Sequence, residues 1–106
     1  MNIVAVTACP SGVAHTYMAA EVLQKAAEKR GHAIKVETQG SIGIENELVA
    51  KEIADADAVI LTNDMPIIRE ERFKGKPVLH IGVSVAIKKA VQIIESLEAQ
   101  LKPSGV

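Results

Sequence analysis

Asn2 to Ala8 is an almost unbroken run of apolar and β-branched residues, the pattern of a strand buried on both faces. It stops at Cys9-Pro10-Ser11-Gly12, where proline and glycine both interrupt extended backbone. From Val13 the period lengthens to that of a helix. Met18, Ala19, Val22, Leu23 and Ala26 share one face, and Glu21, Gln24, Lys25, Glu28 and Lys29 share the other. Glu21 and Lys25 form a favourable i,i+4 pair, and Lys29-Arg30-Gly31 closes the helix with cations and a C-cap glycine.

His32 to Thr38 predicts a second strand with Ile34 and Val36 on one face, followed by a loop over Gln39-Gly40-Ser41-Ile42-Gly43. A short helix is expected from Asn46, as N-cap, through Leu48, Val49 and Ile53. Ala58 to Leu61 predicts a third strand ending in Thr62-Asn63-Asp64-Met65-Pro66, and Ile67 to Arg72 one or two helical turns. After the turn Phe73-Lys74-Gly75-Lys76-Pro77, Val78 to Ile81 predicts a fourth strand. A last helix from about Ser84 places Ile87, Ala90, Ile94, Leu97 and Leu101 on one stripe. The order β-α-β-α-β-(α)-β-α predicts an α/β domain: a doubly wound, four-stranded parallel sheet in three layers, with helices on both faces. Ligands of such folds sit at the carboxyl ends of the strands, and the first such end is Cys9.

Length and composition narrow the function. At 106 residues the chain suits one domain, expected over 1–102 with a frayed tail at 103–106. No apolar run approaches the roughly 18 residues of a membrane span, and no cations precede the first apolar stretch as in a secretory signal. No direct membrane insertion is therefore expected. A net charge of -1 and only two aromatics, Tyr17 and Phe73, argue against nucleic acid as a partner. The single cysteine excludes an internal disulfide and a cysteine-based zinc site. Neither metal nor cofactor is expected.

In the segment from Thr7 to Thr16 the thiol of Cys9 stands where backbone turns into a helix N-terminus. The first helical N–H groups lack intrahelical partners, and the dipole adds roughly half a positive charge there. Such a place holds an anion and favours thiolate over thiol. One geometry thus makes Cys9 a nucleophile and cradles a phosphate carried on its sulfur. Main-chain N–H groups from about Ser11 through Val13 and Ala14 to His15 would surround that phosphate. Gly12 allows close approach, and Ser11, His15 and Thr16 can add hydrogen bonds. Against this stand plainer readings: Cys9 as a small buried hydrophobe, His15 as a solvated first-turn residue, Thr16 as structural.

The residues Cys9-Pro10-x-Gly12-x-Ala14-His15-Thr16-x-Met18-Ala19-Ala20-Glu21-x-Leu23 resemble the active-site signature of the fructose-type IIB component of the bacterial phosphoenolpyruvate-dependent sugar phosphotransferase system. The resemblance continues in Val36-Glu37-Thr38-Gln39-Gly40-Ser41-x-Gly43, in Ala56-Asp57-Ala58-Val59-Ile60 and in Arg72-Phe73-x-Gly75-Lys76, and spans essentially the whole chain. It implies strand order 2-1-3-4 and a single IIB domain without fused IIA or IIC parts. It implies that Cys9 accepts a phosphoryl group from a phosphohistidine on a IIA protein. The phosphoryl would then pass to fructose or a similar sugar bound by a membrane IIC permease. A cytoplasmic monomer, peripherally associated through that IIC partner, is expected. Phosphate-binding residues would be Pro10, Ser11, Gly12, Val13, Ala14, His15 and Thr16, with Gln39 and Gly40 at the pocket rim.

Elsewhere His32 is expected to be solvated, His80 to be a packing residue of the fourth strand, and Lys74, Lys76, Lys88 and Lys89 to form a solvated face. Asp57 and Asp64 flank the third strand as in a receiver domain, but no acidic pair follows the first strand to hold Mg²⁺. The enzyme alternative is a low-molecular-weight cysteine-dependent phosphatase or arsenate reductase, whose Cys-x5-Arg loop has His15 in the arginine position here. A flavodoxin-like flavin module lacks its aromatics and fifth strand, and a redox thiol switch lacks its second cysteine.

Overall fold

β1 (Asn2–Ala8) is the central strand of the sheet, and every residue from Ile3 to Ala8 is buried. This computed structural model describes residues 1–9, 13–40 and 43–101. Side chains alternate across β1 as its pleat requires. Ile3 and Ala5 meet one apolar cluster, and Val4, Val6 and Ala8 meet another. That two-sided burial is why β1 carries no apolar–polar alternation in sequence.

The first cluster is filled by α1 (Val13–Lys29), α3 (Val83–Lys88) and α4 (Ala90–Leu101), through Ala19, Leu23, Ala86, Ile94 and Leu97 among others. The second, thinner layer holds α2 (Ala50–Asp55) and a 3-10 turn (Glu70–Phe73), which contribute Ile53 and Phe73. β1 pairs in parallel with β2 (Ala33–Gly40) and with β4 (Ala58–Thr62), and β4 pairs in parallel with β5 (Val78–Ile81). The parallel order β2-β1-β4-β5 is the expected 2-1-3-4 in three layers.

The strand count differs. Among the described residues the sheet has five strands, because β3 (Gly43–Glu45) pairs antiparallel with β2, joining Gly40 to Gly43 and Thr38 to Glu45. Gln39 and Gly40, expected in a loop, are the last rungs of β2. Gly43 takes φ 107°, which only glycine adopts readily.

Asn46 is not the N-cap expected of it. It sits at φ 53° in a turn after β3, a conformation asparagine tolerates, and α2 begins only at Ala50. Val49 occupies the N-cap, where its N–H donates to Glu52. The last helix is two helices parted at Lys89, a break that the continuous apolar stripe conceals.

Both outlying histidines depart from expectation. His32 is half-buried, with Nε2 against Glu98 and Nδ1 3.0 Å from the terminal amine. Arg30 and His32 together hold the Glu98 carboxyl down at about 2. His80 is exposed on β5, the edge strand of the sheet, with Nε2 3.5 Å from Glu70 of the 3-10 turn. Lys76 is not simply solvated either, since it donates to the carbonyls of Ala54 and Ala56. Asp57 accepts the Asn2 N–H and Asp64 accepts the Val83 N–H, so both serve the backbone.

Candidate functional site

The sheet's order reverses between β1 and β4: the chain leaves β1 toward β2 on one side and leaves β4 toward β5 on the other. A crevice belongs at the carboxyl ends of these two strands. Cys9 is the first residue beyond β1 at that edge, half-buried, and its side chain packs against the cluster beneath α1.

The strand end that carries Cys9 is fixed by a side chain. Thr62 Oγ1, wholly buried, accepts the Ala8 N–H at 2.9 Å and donates to the Ala8 carbonyl at 3.2 Å. Backbone pairing of β1 with β4 ends at Val6 and Leu61, so this hydroxyl takes the place of the next rung. Ala8 is thereby held at the end of the strand. Sequence reasoning passed over Thr62; a β-branched hydroxyl closing a buried strand was the available signal.

α1 opens at Val13, four positions after Cys9. Pro10, Ser11 and Gly12, expected to bind phosphate, lie outside the described residues. Val13, Ala14, His15 and Thr16 form the first turn of α1, with Ala14 and His15 exposed. Thr16 is buried: its carbonyl accepts from Thr7 Oγ1 at 3.1 Å, and its Oγ1 has no hydrogen-bond partner among the described residues. An unspent hydroxyl therefore lies in the first turn of α1. Tyr17, one residue on, bonds Glu45 and ties α1 to β3.

Gln39 stands opposite Ala8 in the β1–β2 register, and Gly40, exposed, ends β2 beside it. Gln39 does not open into space. It is buried, giving Nε2 to Glu37 at 2.8 Å and to the Ile68 carbonyl at 3.1 Å, while Oε1 accepts the Ile68 N–H at 2.8 Å.

Glu37 is the centre of this network and was also missed as a structural residue. Its carboxylate, fully buried, receives a two-pronged Arg72 guanidinium at 2.9 and 3.0 Å, the Leu48 N–H at 2.9 Å and the Gln39 amide. Burial alone would push this carboxyl up. The Arg72 guanidinium, the Leu48 N–H and the Gln39 amide outweigh it and hold the group below its usual range. A charged residue amid the buried run Val36 to Gln39 was the sequence signal, since a buried charge demands a partner. Arg72 also stacks over Phe73, 4.8 Å from the ring centre.

Comparison with known proteins places this arrangement among relatives. The family model described as "PTS system, Lactose/Cellobiose specific IIB subunit" matches residues 4–96. The chain is 60% identical over 100 residues to the "PTS system fructose-like EIIB component 2" of Escherichia coli (strain K12), covering 94% of each. It is 48% identical over 102 residues to the "PTS system fructose-specific EIIABC component" of Bacillus subtilis (strain 168), covering 96% of this chain and 16% of that longer one. Among solved structures, the Enzyme IIB subunit of the PTS system from Escherichia coli K12 superposes with a TM-score of 0.88 at 41% identity, over 93% of this chain and 92% of that one.

Proposed function

The chain belongs to the IIB family of the bacterial sugar phosphotransferase system, in its fructose-like branch, and from that premise we propose that Cys9 is the phosphoryl-carrying residue. The general phosphotransferase role comes with the family. The cysteine step, its donor and its acceptor are the reading argued here.

The Cys9 thiolate attacks the phosphorus of a phosphohistidine on a IIA protein. The P–N bond breaks as the S–P bond forms, and the departing imidazole regains its proton from solvent. A hydroxyl of fructose or a fructose-like sugar, bound by a IIC permease, then attacks the same phosphorus. The S–P bond breaks, thiolate returns, and the hydroxyl proton passes to the sugar-binding partner. A relative whose name joins A, B and C supports IIA and IIC parts as the two partners.

The observation that carries this reading is the position of Cys9 at the carboxyl end of the central strand, four residues before a 17-residue helix. Phosphoryl transfer needs in-line positioning and stabilisation of spread negative charge more than covalent help. N–H groups of Val13, Ala14 and His15, with those of Ser11 and Gly12, are the proposed cradle, aided by the dipole of α1. The unspent Thr16 hydroxyl and the His15 ring are further donors for the phosphate, while Pro10 shapes the turn. Gln39 and Gly40 bound the site on the β2 side. Among the described residues, no helix is long and apolar enough to cross a membrane, consistent with sugar being held by another component.

Alkylation tests the assignment. Iodoacetamide treatment of the chain should abolish later phosphoryl acceptance, and prior phosphorylation by a IIA protein should protect Cys9 from the reagent. A fully alkylated chain that still accepts a phosphoryl group would place the acceptor elsewhere.

A further inference from the structure

Three threonines gather where the first turn of α1 meets the sheet. Thr7 and Thr38 stand opposite each other in the β1–β2 register, so their side chains leave the sheet on one face. That face is the one α1 covers. Thr7 Oγ1 donates to the Thr16 carbonyl, and Ile3, Ala5 and Val36, in phase with the two threonines, belong to the cluster under α1. Cys9 packs against the same cluster, two positions beyond Thr7.

Of the three hydroxyls, that of Thr7 is spent on the Thr16 carbonyl. Thr38 is 4% exposed, and its Oγ1, like that of Thr16, has no hydrogen-bond partner among the described residues. Glu45 pairs with Thr38 in the β2–β3 register, but its carboxylate is engaged by the Tyr17 hydroxyl. A buried hydroxyl without a partner costs free energy that valine, of the same shape, would not. The strand itself does not ask for one: Val36, two positions earlier, fills the same face with hydrocarbon alone.

We propose that Thr38 is a further phosphate-binding residue, whose hydroxyl donates to a phosphoryl oxygen once Cys9 is charged. The inference rests on Cys9 being the phosphoryl acceptor. Thr38 lies one strand across and two residues back from Cys9, which ordinary sheet spacings make roughly 8 Å between Cα atoms. The S–P and P–O bonds of a phosphocysteine lengthen that side chain across the gap. The phosphoryl brings three strong acceptor oxygens and most of two negative charges to a place where a hydroxyl stands unspent. Thr38 thus burdens the uncharged chain and stabilises the charged one, which moves the phosphoryl equilibrium from the donor toward Cys9.

The test is the equilibrium of phosphoryl exchange between a phosphorylated IIA protein and Cys9, with thermal melting of the uncharged chain measured beside it. Thr38→Val should lower the equilibrium constant for charging by about tenfold or more, because hydrogen bonds to ionised groups are among the stronger ones. Its uncharged form should melt no lower than wild type. Thr38→Ser keeps the hydroxyl and loses a buried methyl, so it should melt lower yet charge within about threefold of wild type. The variants therefore cross, one losing charging and the other stability, a pattern that a merely structural threonine does not produce. An unchanged equilibrium constant in Thr38→Val, a fall in its melting temperature, or an equal loss of charging in Thr38→Ser would each overturn the proposal. So would a slower approach to an unaltered equilibrium. A wild-type chain that takes no phosphoryl on Cys9 would instead defeat the parent reading, and the wild-type arm of the same experiment shows which of the two has failed.

Discussion

Cys9→Ser is expected to lower phosphoryl acceptance by at least about 10³-fold while the fold survives. Removing the attacking group of a covalent mechanism costs several orders of magnitude in other enzymes. Serine has no substitute route here. Its hydroxyl needs an adjacent base to become nucleophilic, whereas sulfur is intrinsically the stronger nucleophile. The change itself is nearly isosteric and half-buried, so stability should stay within about 1 kcal/mol of wild type. Melting temperature and transfer rate measured on one preparation separate the two effects. Transfer near the wild-type rate by the serine variant would remove Cys9 from the mechanism.

Arg72→Met is expected to have the largest effect on stability, about 3–5 kcal/mol, because it strands the fully buried Glu37 carboxylate. At about 4–8 °C per kcal/mol for a domain of this size, the melting temperature should fall by about 12 °C or more. Glu37→Gln should cost less, since Arg72 keeps some access to water and can turn outward.

The pH dependence carries the sign. In the wild type Glu37 is held below its ordinary value. Its contribution is therefore complete above the unfolded-state pKa near 4.5 and is lost as the pH falls through the folded one. In Arg72→Met, burial without the guanidinium raises the same carboxyl, so acidification from neutral toward 4.5 favours the folded state. The stability gap between wild type and variant should narrow as the pH drops. Denaturant titrations between about pH 7 and pH 4 measure it. A gap that stays constant would mean Glu37 is not the group left unpaired.

The parallel framework was legible because each of its elements obeys a local rule. β1 and β4 are short apolar runs, α1 has a clear 3.6-residue stripe with a glycine stop, and the crossovers then allow few topologies. β3 was not legible: three residues, Gly43 to Glu45, have too little pattern, and only pairing with β2 makes them a strand. The parting of α3 from α4 leaves the buried stripe through Ala86, Ala90, Ile93 and Leu97 in phase, so periodicity could not register it.

The candidate site divides in the same way. Cys9 and the start of α1 lie four positions apart in sequence, so the nearness of the thiol to that helix could be read directly. The supports are long-range. Thr62 reaches Ala8 across 54 positions, and Arg72 reaches Glu37 across 35. A lone threonine or arginine gives no sign of its partner until the sheet assembles. Gln39 shows both sides: its motif marked it as a rim residue, but only coordinates reveal the amide turned onto Ile68 rather than toward open space.

The most direct measurement is to incubate the chain with phosphoenolpyruvate, the general phosphotransferase proteins and a IIA protein, then record intact mass and map the modified peptide. The account predicts one added phosphate, located on Cys9, and its loss when a IIC permease and sugar are supplied. A phosphate found on His15, His32 or His80, or no phosphate while the IIA protein is fully charged, would contradict it.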